Sequence, residues 1–234
     1  MGKRSPMSKG QKKERRVSKR FSSLATKKIG NSDFTLGATS SIDLSDFVSA
    51  LIEYGDEGAD GNAKRREAFR TADPNGNGWL SLAELEIFII ESLKNVFPKE
   101  RADALFRMFR PSYIYAFNNA KDFDKRGGGE VLAGAETATA DDYVSFSEFR
   151  ICIIFLCIYS AMYDAFVESN DPKDDDPRIE LGEFLVTYRF IQGHGFKGIQ
   201  NINSDEEAKA LFRRIDSNDG KGKILFSEWS TFLR

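Results

Sequence analysis

The chain has 234 residues and a mass of 26.4 kDa, and 41% of it is hydrophobic, enough to build one large or two small domains with a real core, so wholesale disorder is excluded. Its formal net charge of −2 hides a lopsided distribution: residues 1–30 carry eleven Lys or Arg against the single acid Glu14, a net of +10, and the remainder carries −12. Two cysteines, Cys152 and Cys157, inside one apolar run, with His194 alone elsewhere, support neither a disulfide framework nor a structural zinc site.

Residues 1–30 mix Lys, Arg, Ser and Gly with few large apolar side chains and cannot bury enough surface to offset the entropy of ordering. They are expected to be disordered when free and to act as an interaction arm. The single aromatic Phe21 gives no stacking platform, so specific nucleic-acid binding is not expected. The arm lacks the apolar stretch of a secretory signal, and the longest apolar run, Ile151 to Tyr159, is too short to span a bilayer. Free thiols without an export signal point to the cytosolic side.

The body repeats one pattern, an apolar residue at alternate positions followed by glutamate and a large apolar residue. It occurs at Leu80 to Leu85, Val144 to Phe149, Ile179 to Phe184 and Ile224 to Trp229, which implies a repeated supersecondary element. A fainter copy, Ile42-Asp43-Leu44-Ser45-Asp46-Phe47, has no acidic loop before it and reads as a relic or a coincidence within a helical lead-in over 31–62. Helical periodicity then runs from Ala63 to Ala72 and from Leu82 to Phe97, where Leu85, Phe88, Ile89 and Leu93 share a face and Pro98 stops the helix.

Between those two helices lies Asp73-Pro74-Asn75-Gly76-Asn77-Gly78-Trp79-Leu80-Ser81-Leu82-Ala83-Glu84. A hard cation such as Ca²⁺ wants six to eight oxygens, and a short loop supplies them when alternate residues point inward and the chain turns sharply midway. Asp73, Asn75 and Asn77 offer side-chain oxygens at positions one, three and five, Gly78 makes the turn, and the Trp79 carbonyl serves at seven. Ser81 can hold a water and Glu84 can clamp with both oxygens. With only Asp73 and Glu84 charged, the tightest buffer class is not expected. Leu80 should pair with a partner loop.

Helices are expected over Lys99–Arg110 and Ser112–Phe123, followed by an irregular Gly-rich stretch from Lys125 to Asp142. The second loop would begin at Thr137, with Thr139 at position three and Asp141 at five, and has no carboxylate at position one. Its expected role is structural, setting Val144 against Leu80. The longest helix, Ser147 to about Glu168, is apolar nearly all round from Ile151 to Tyr159 and reads as a connector buried in both lobes, with an exposed partner-binding face as the alternative. Cys152 and Cys157 on it read as core residues.

The third loop, Asn170 to Glu183, is two residues too long and carries Pro172 and Pro177 where a turn glycine is wanted, though Asp174, Asp176 and Glu183 are acids able to attract a cation. Helices follow over Leu181–Ile191, Ser204–Ile215 and Phe226–Leu233, with His194 in a loop. The fourth loop, Asp216 to Glu228, has thirteen residues; if one residue bulges out, Asp216, Asn218, an oxygen near Gly220, and Glu228 can still converge.

These motifs identify the body as similar to the EF-hand superfamily: an all-α fold of paired helix–loop–helix units, one pair over 63–158 and one over 159–234. The basic N-terminal segment, the weak second loop running into the apolar helix Ser147 to Tyr159, and the third loop close behind it resemble the flagellar calcium-binding proteins of protists, the calflagin type. That resemblance implies a ciliary or flagellar calcium sensor at a membrane, anchored by acylation of Gly2 and a neighbouring cysteine. Here Lys3, Arg4, Ser5 and Pro6 follow Gly2 and no cysteine lies near it. The resemblance also expects good third and fourth loops, whereas the first matches best.

No nucleophile and base constellation or phosphate-cradling loop is present, so no enzymatic activity is expected. The leading expectation is a calcium sensor working on a protein partner or assembly, its arm held on an acidic surface, anionic lipid or a polymer such as tubulin. The competing one is a structural component of an axoneme or cytoskeletal assembly with little calcium response.

Overall fold

The computed structural model describes residues 41–121, 142–170, 178–193, 196, 199–216 and 222–233. The arm, the second-loop positions Thr137, Thr139 and Asp141, the third-loop acids Asp174 and Asp176, and His194, Asn218 and Gly220 lie outside them. The described chain is helical, interrupted by four two-residue strands, and its backbone divides into two compact units, one of Ile42–Tyr163 and one of Asp164–Arg234 together with Ser41.

The first unit opens with α1 (Ile42–Ser49) and a 3₁₀ turn (Ile52–Gly55). The faint fifth copy of the repeat is therefore helix, and Leu44, Phe47, Val48 and Leu51 on it and just beyond it are fully buried. Helix α2 (Ala59–Ala72) starts one turn before the sequence periodicity does. Arg65, buried on that helix, donates to the Tyr54 carbonyl at 3.1 Å and to the Asp56 carbonyl, fixing the 3₁₀ turn against α2.

Strand β1 (Trp79–Leu80) leads into α3 (Leu82–Val96), which begins at a capping box: the Glu84 N–H donates to Ser81 Oγ at 3.3 Å while the Ser81 N–H donates to Glu84 Oε2 at 2.8 Å. Such a box satisfies two donors that the helix start would leave open. The C-terminal Phe97 N–H still reaches Leu93, and Pro98 ends the helix.

Helix α4 (Lys99–Lys121) is continuous through Pro111, where the sequence suggested two helices. A mid-helix proline removes one hydrogen bond and crowds the preceding turn. Burial of Leu105, Phe109, Tyr113, Ala116 and Phe117 on one face outweighs that local cost, and Ser112 Oγ donates to the Phe109 carbonyl at 2.7 Å.

Strand β2 (Val144–Ser145) pairs antiparallel with β1 and opens α5 (Phe146–Ser169). At 24 residues α5 is long and apolar enough to cross a membrane by length and composition, which the shorter run from Ile151 to Tyr159 did not indicate. In the first unit it behaves as a core helix: Phe149 meets Phe69 of α2 and Phe88 of α3 edge-on at 5.4 and 5.1 Å, and Ser160 Oγ bonds Ser112 Oγ of α4 at 2.9 Å. Cys152 and Cys157 are completely buried, as expected of core thiols. Burial pushes the Cys157 thiol up to about 12 and raises Cys152 further.

The second unit comprises the end of α5, β3 (Ile179–Glu180), α6 (Leu181–Gln192), α7 (Asp205–Ile215), β4 (Lys223–Ile224) and α8 (Phe226–Leu233). Strands β3 and β4 pair antiparallel, with Ile179 opposite Ile224. Phe184 lies 5.7 Å from Phe212, Phe166 lies 5.4 Å from Phe226, and Trp229 on α8 is fully buried. Gln192 Nε2 donates to the carbonyls of Ile199 at 3.0 Å and Ile202 at 2.8 Å, bracing the connection from α6 to α7. The Asp164 carboxylate accepts from both the N–H and the hydroxyl of Ser41.

Candidate metal centre

In the first loop the backbone holds the side-chain oxygens in place. Asp73, 8% exposed at the end of α2, accepts from the Gly78 N–H through Oδ2 at 2.8 Å and from the Asn77 N–H through Oδ1 at 3.2 Å. Asn75 Oδ1 accepts from the Asn77 N–H at 2.9 Å, and Asn77 Oδ1 from the Trp79 N–H at 2.8 Å. These bonds close a tight turn that needs Gly76 at φ +68° and Gly78 at φ +80°, a region that side chains with a Cβ rarely enter. Across the loop, Asn75 Nδ2 donates to Glu84 Oε1 at 3.1 Å, so positions three and twelve meet.

Glu84 is thus divided. Its Oε2 accepts from both the Ser81 N–H and Ser81 Oγ at 2.8 Å, while Oε1 faces Asn75. The structure brings Asp73, Asn75, Asn77, Ser81 and Glu84 into one connected set, all oxygen donors or able to act as such, which is the chemistry a hard divalent cation takes.

The second loop ends in the same way: the Ser145 N–H and Oγ donate to Glu148 Oε2 at 2.9 and 2.8 Å. The β1–β2 ribbon pairs Trp79 with Ser145 and Leu80 with Val144, the pairing anticipated from loop position eight. In the third loop, Glu183 Oε2 accepts from the Glu180 N–H at 2.9 Å.

The fourth loop keeps the frame of the first with its turn displaced. The Gly222 N–H donates to Asp216 Oδ2 at 2.9 Å with Gly222 at φ +79°, matching Gly78 and Asp73. The turn glycine is therefore Gly222. Gly222 precedes Glu228 by six residues, as Gly78 precedes Glu84, so the extra residue falls between Asp216 and Gly222. The six-residue spacing to the glutamate marks Gly222 in the sequence itself. Glu228 Oε2 accepts from the Leu225 N–H at 2.9 Å.

Asp216 and Glu228 are 7% and 5% exposed, and Asp216 Oδ1 and Glu228 Oε1 are buried with no hydrogen-bond partner among the described residues. Two anionic oxygens left bare at the two ends of one loop fit a cation that both would bind. Among the described residues no three His, Cys, Asp or Glu side chains cluster, so either loop would lean on amide and carbonyl oxygens as well as on its two carboxylates.

No protein-family model matches the chain. Over 176 residues, 75% of its length, it is 28% identical to the flagellar calcium-binding protein TB-17 of Trypanosoma brucei brucei, and 26% identical to TB-24 of the same organism. The alignments take in 64% of TB-17 and 69% of TB-24, so the chain spans less than two thirds of the first. The resemblance to flagellar calcium-binding proteins drawn from the loop motifs is thus also a similarity along most of the chain.

Proposed function

We propose that the chain is a calcium-binding protein of a flagellum or cilium and that it senses calcium through its first and fourth loops. The observation that carries this reading is the pair of buried, unpartnered oxygens on Asp216 and Glu228. An uncompensated buried charge is costly, and a hard cation is the group that relieves both carboxylates at once. Asp73, Asn75, Asn77, the Trp79 carbonyl, Ser81 through a water, and Glu84 form the corresponding set in the first loop. The flagellar placement rests on the names of the similar proteins.

Bound calcium would supply a divalent charge shared by six to eight oxygens. The chain supplies the response. Glu84 sits in the first turn of α3 and Asp73 at the end of α2, so drawing Glu84 Oε1 from Asn75 to the loop centre shifts one helix against the other and moves the apolar face of α3. The basic residues 1–30 hold the protein on an acidic surface, anionic lipid or an acidic polymer such as tubulin.

Calorimetric titration of the full chain tests this reading. Two sites in the micromolar sensor range are expected, one lost on Glu84→Gln and the other on Glu228→Gln. A chain that binds no calcium, or a stoichiometry that neither substitution alters, overturns it and leaves an assembly component built on the same fold.

A further inference from the structure

The segment from Ile42 to Gly55 precedes the helix–loop–helix units, yet it lies against apolar residues of α3, α4 and α5. Leu44, Phe47, Val48 and Leu51, at offsets of three, four and seven, are all fully buried. The Phe47 ring is 4.7 Å from Phe109 and 6.0 Å from Tyr113 on α4, and Tyr54 meets Phe88 of α3 edge-on at 5.2 Å. Gly55 lies against Ile154 of α5, where an added Cβ would find the side chain at 3.5 Å. At the rim, Arg101 of α4 donates to Asp43 at 2.7 Å and, through Nε, to Asp46 at 3.1 Å. An amphipathic helix laid by such offsets into an apolar groove is how many proteins capture a partner's helix. Here the occupant is in cis.

Three features mark this occupant as exchangeable. Helix α1 has eight residues and is too short to persist without its groove. Helices α2, α3 and α5 meet through Phe69, Phe88 and Phe149 in a ring cluster that includes no residue of α1. Phe88, which touches Tyr54, stands one turn after Glu84 on α3.

We propose that the groove formed by Phe88, Phe109 and Tyr113, with Arg101 at its rim, is a receptor site for a partner's amphipathic helix, and that residues 42–55 close it in cis. The partner helix carries apolar residues at the spacing of Leu44, Phe47, Val48 and Leu51, and acids where Asp43 and Asp46 stand. A basic helix is disfavoured, because Arg101 would face like charge. The trigger, though not the groove, rests on the calcium reading above: a shift of Glu84 on calcium binding carries Phe88 away from Tyr54 and loosens the cis segment.

The test uses the full chain and a fluorescein-labelled peptide of residues 41–56. Without calcium the wild-type chain binds the peptide poorly, since the tethered copy competes at an effective concentration of the order of millimolar. Weakening the cis copy, by Asp43→Asn with Asp46→Asn or separately by Phe47→Ala, tightens peptide binding by roughly tenfold or more, and adding Arg101→Gln reverses that gain. In wild type, calcium speeds hydrogen exchange at the amides of residues 44–52 while it protects those of 73–84. Failure of the peptide to bind either cis-weakened chain, with helicity retained, overturns the groove. Unchanged exchange at 44–52 beside protection at 73–84 overturns the coupling. No protection at 73–84 instead sinks the calcium reading, and the calcium-free peptide measurement then judges the groove by itself.

Discussion

Leu80 of β1 stands directly opposite Val144 of β2, and both side chains are completely buried. Through this pair the first loop leans on the second, whose first ligand position, Thr137, offers no carboxylate. Such a loop can hold its neighbour in shape whether or not it takes an ion, because the ribbon anchors the chain immediately after the Trp79 carbonyl. Leu80→Ala is expected to cost about 2–5 kcal/mol of stability by urea denaturation. It is also expected to weaken calcium binding at the first loop, although no ligand is removed. Lost stability with unaltered calcium affinity would show that the ribbon does not support the site.

Gly222 offers a test of where the fourth loop turns. Its positive φ and its N–H bond to Asp216 give it the part that Gly78 plays in the first loop. Gly222→Ala forces a Cβ into the left-handed region at a cost of roughly 1–2 kcal/mol, and Gly222→Asn, whose side chain tolerates that region, costs less. Calcium affinity at the fourth loop should fall in the same order, with the first loop unaffected. Equal tolerance of alanine and asparagine in a calcium titration would mean that the turn is not set at this residue.

The buried thiols give the fold an alkaline limit. Cys157 is pushed up to about 12 and Cys152 beyond it, both by burial, from an ordinary value of 9.0. Above that ordinary value the unfolded chain releases thiol protons that the folded chain retains, so unfolding is favoured as pH rises. The thiols' contribution to stability is therefore complete below about pH 9 and falls steadily towards pH 12. Urea midpoints measured across that window should decline less steeply for the Cys152→Ala, Cys157→Ala double variant than for wild type. An identical slope would assign the loss to other groups.

Much of this architecture was legible in the sequence because its loops are local: ligand, turn glycine and clamping glutamate lie within a dozen residues, so spacing alone placed Asp73, Gly78 and Glu84, and position eight paired Leu80 with Val144. What was not legible depends on contacts distant along the chain. Ile42 to Phe47 read as a relic or a coincidence within a helical lead-in, and nothing local showed that Phe47 packs against Phe109 and Tyr113. Pro111 suggested a break that the buried face of α4 overrides.

Glu228 and Asp216 should store instability that the ion relieves. Each has one carboxylate oxygen occupied by a backbone N–H, from Leu225 and Gly222 respectively, and one buried oxygen without a partner among the described residues. In chelator the folded state carries both charges inside the protein, whereas the unfolded state exposes them to water. Glu228→Gln removes one charge and retains an acceptor for the Leu225 N–H. It is therefore expected to stabilise the calcium-free chain, by about 1–3 kcal/mol, while abolishing the fourth site. Thermal unfolding in chelator and in calcium separates the two effects: the variant should melt higher than wild type in chelator and gain less from added calcium. A variant that melts lower in chelator would show that Glu228 is satisfied without an ion.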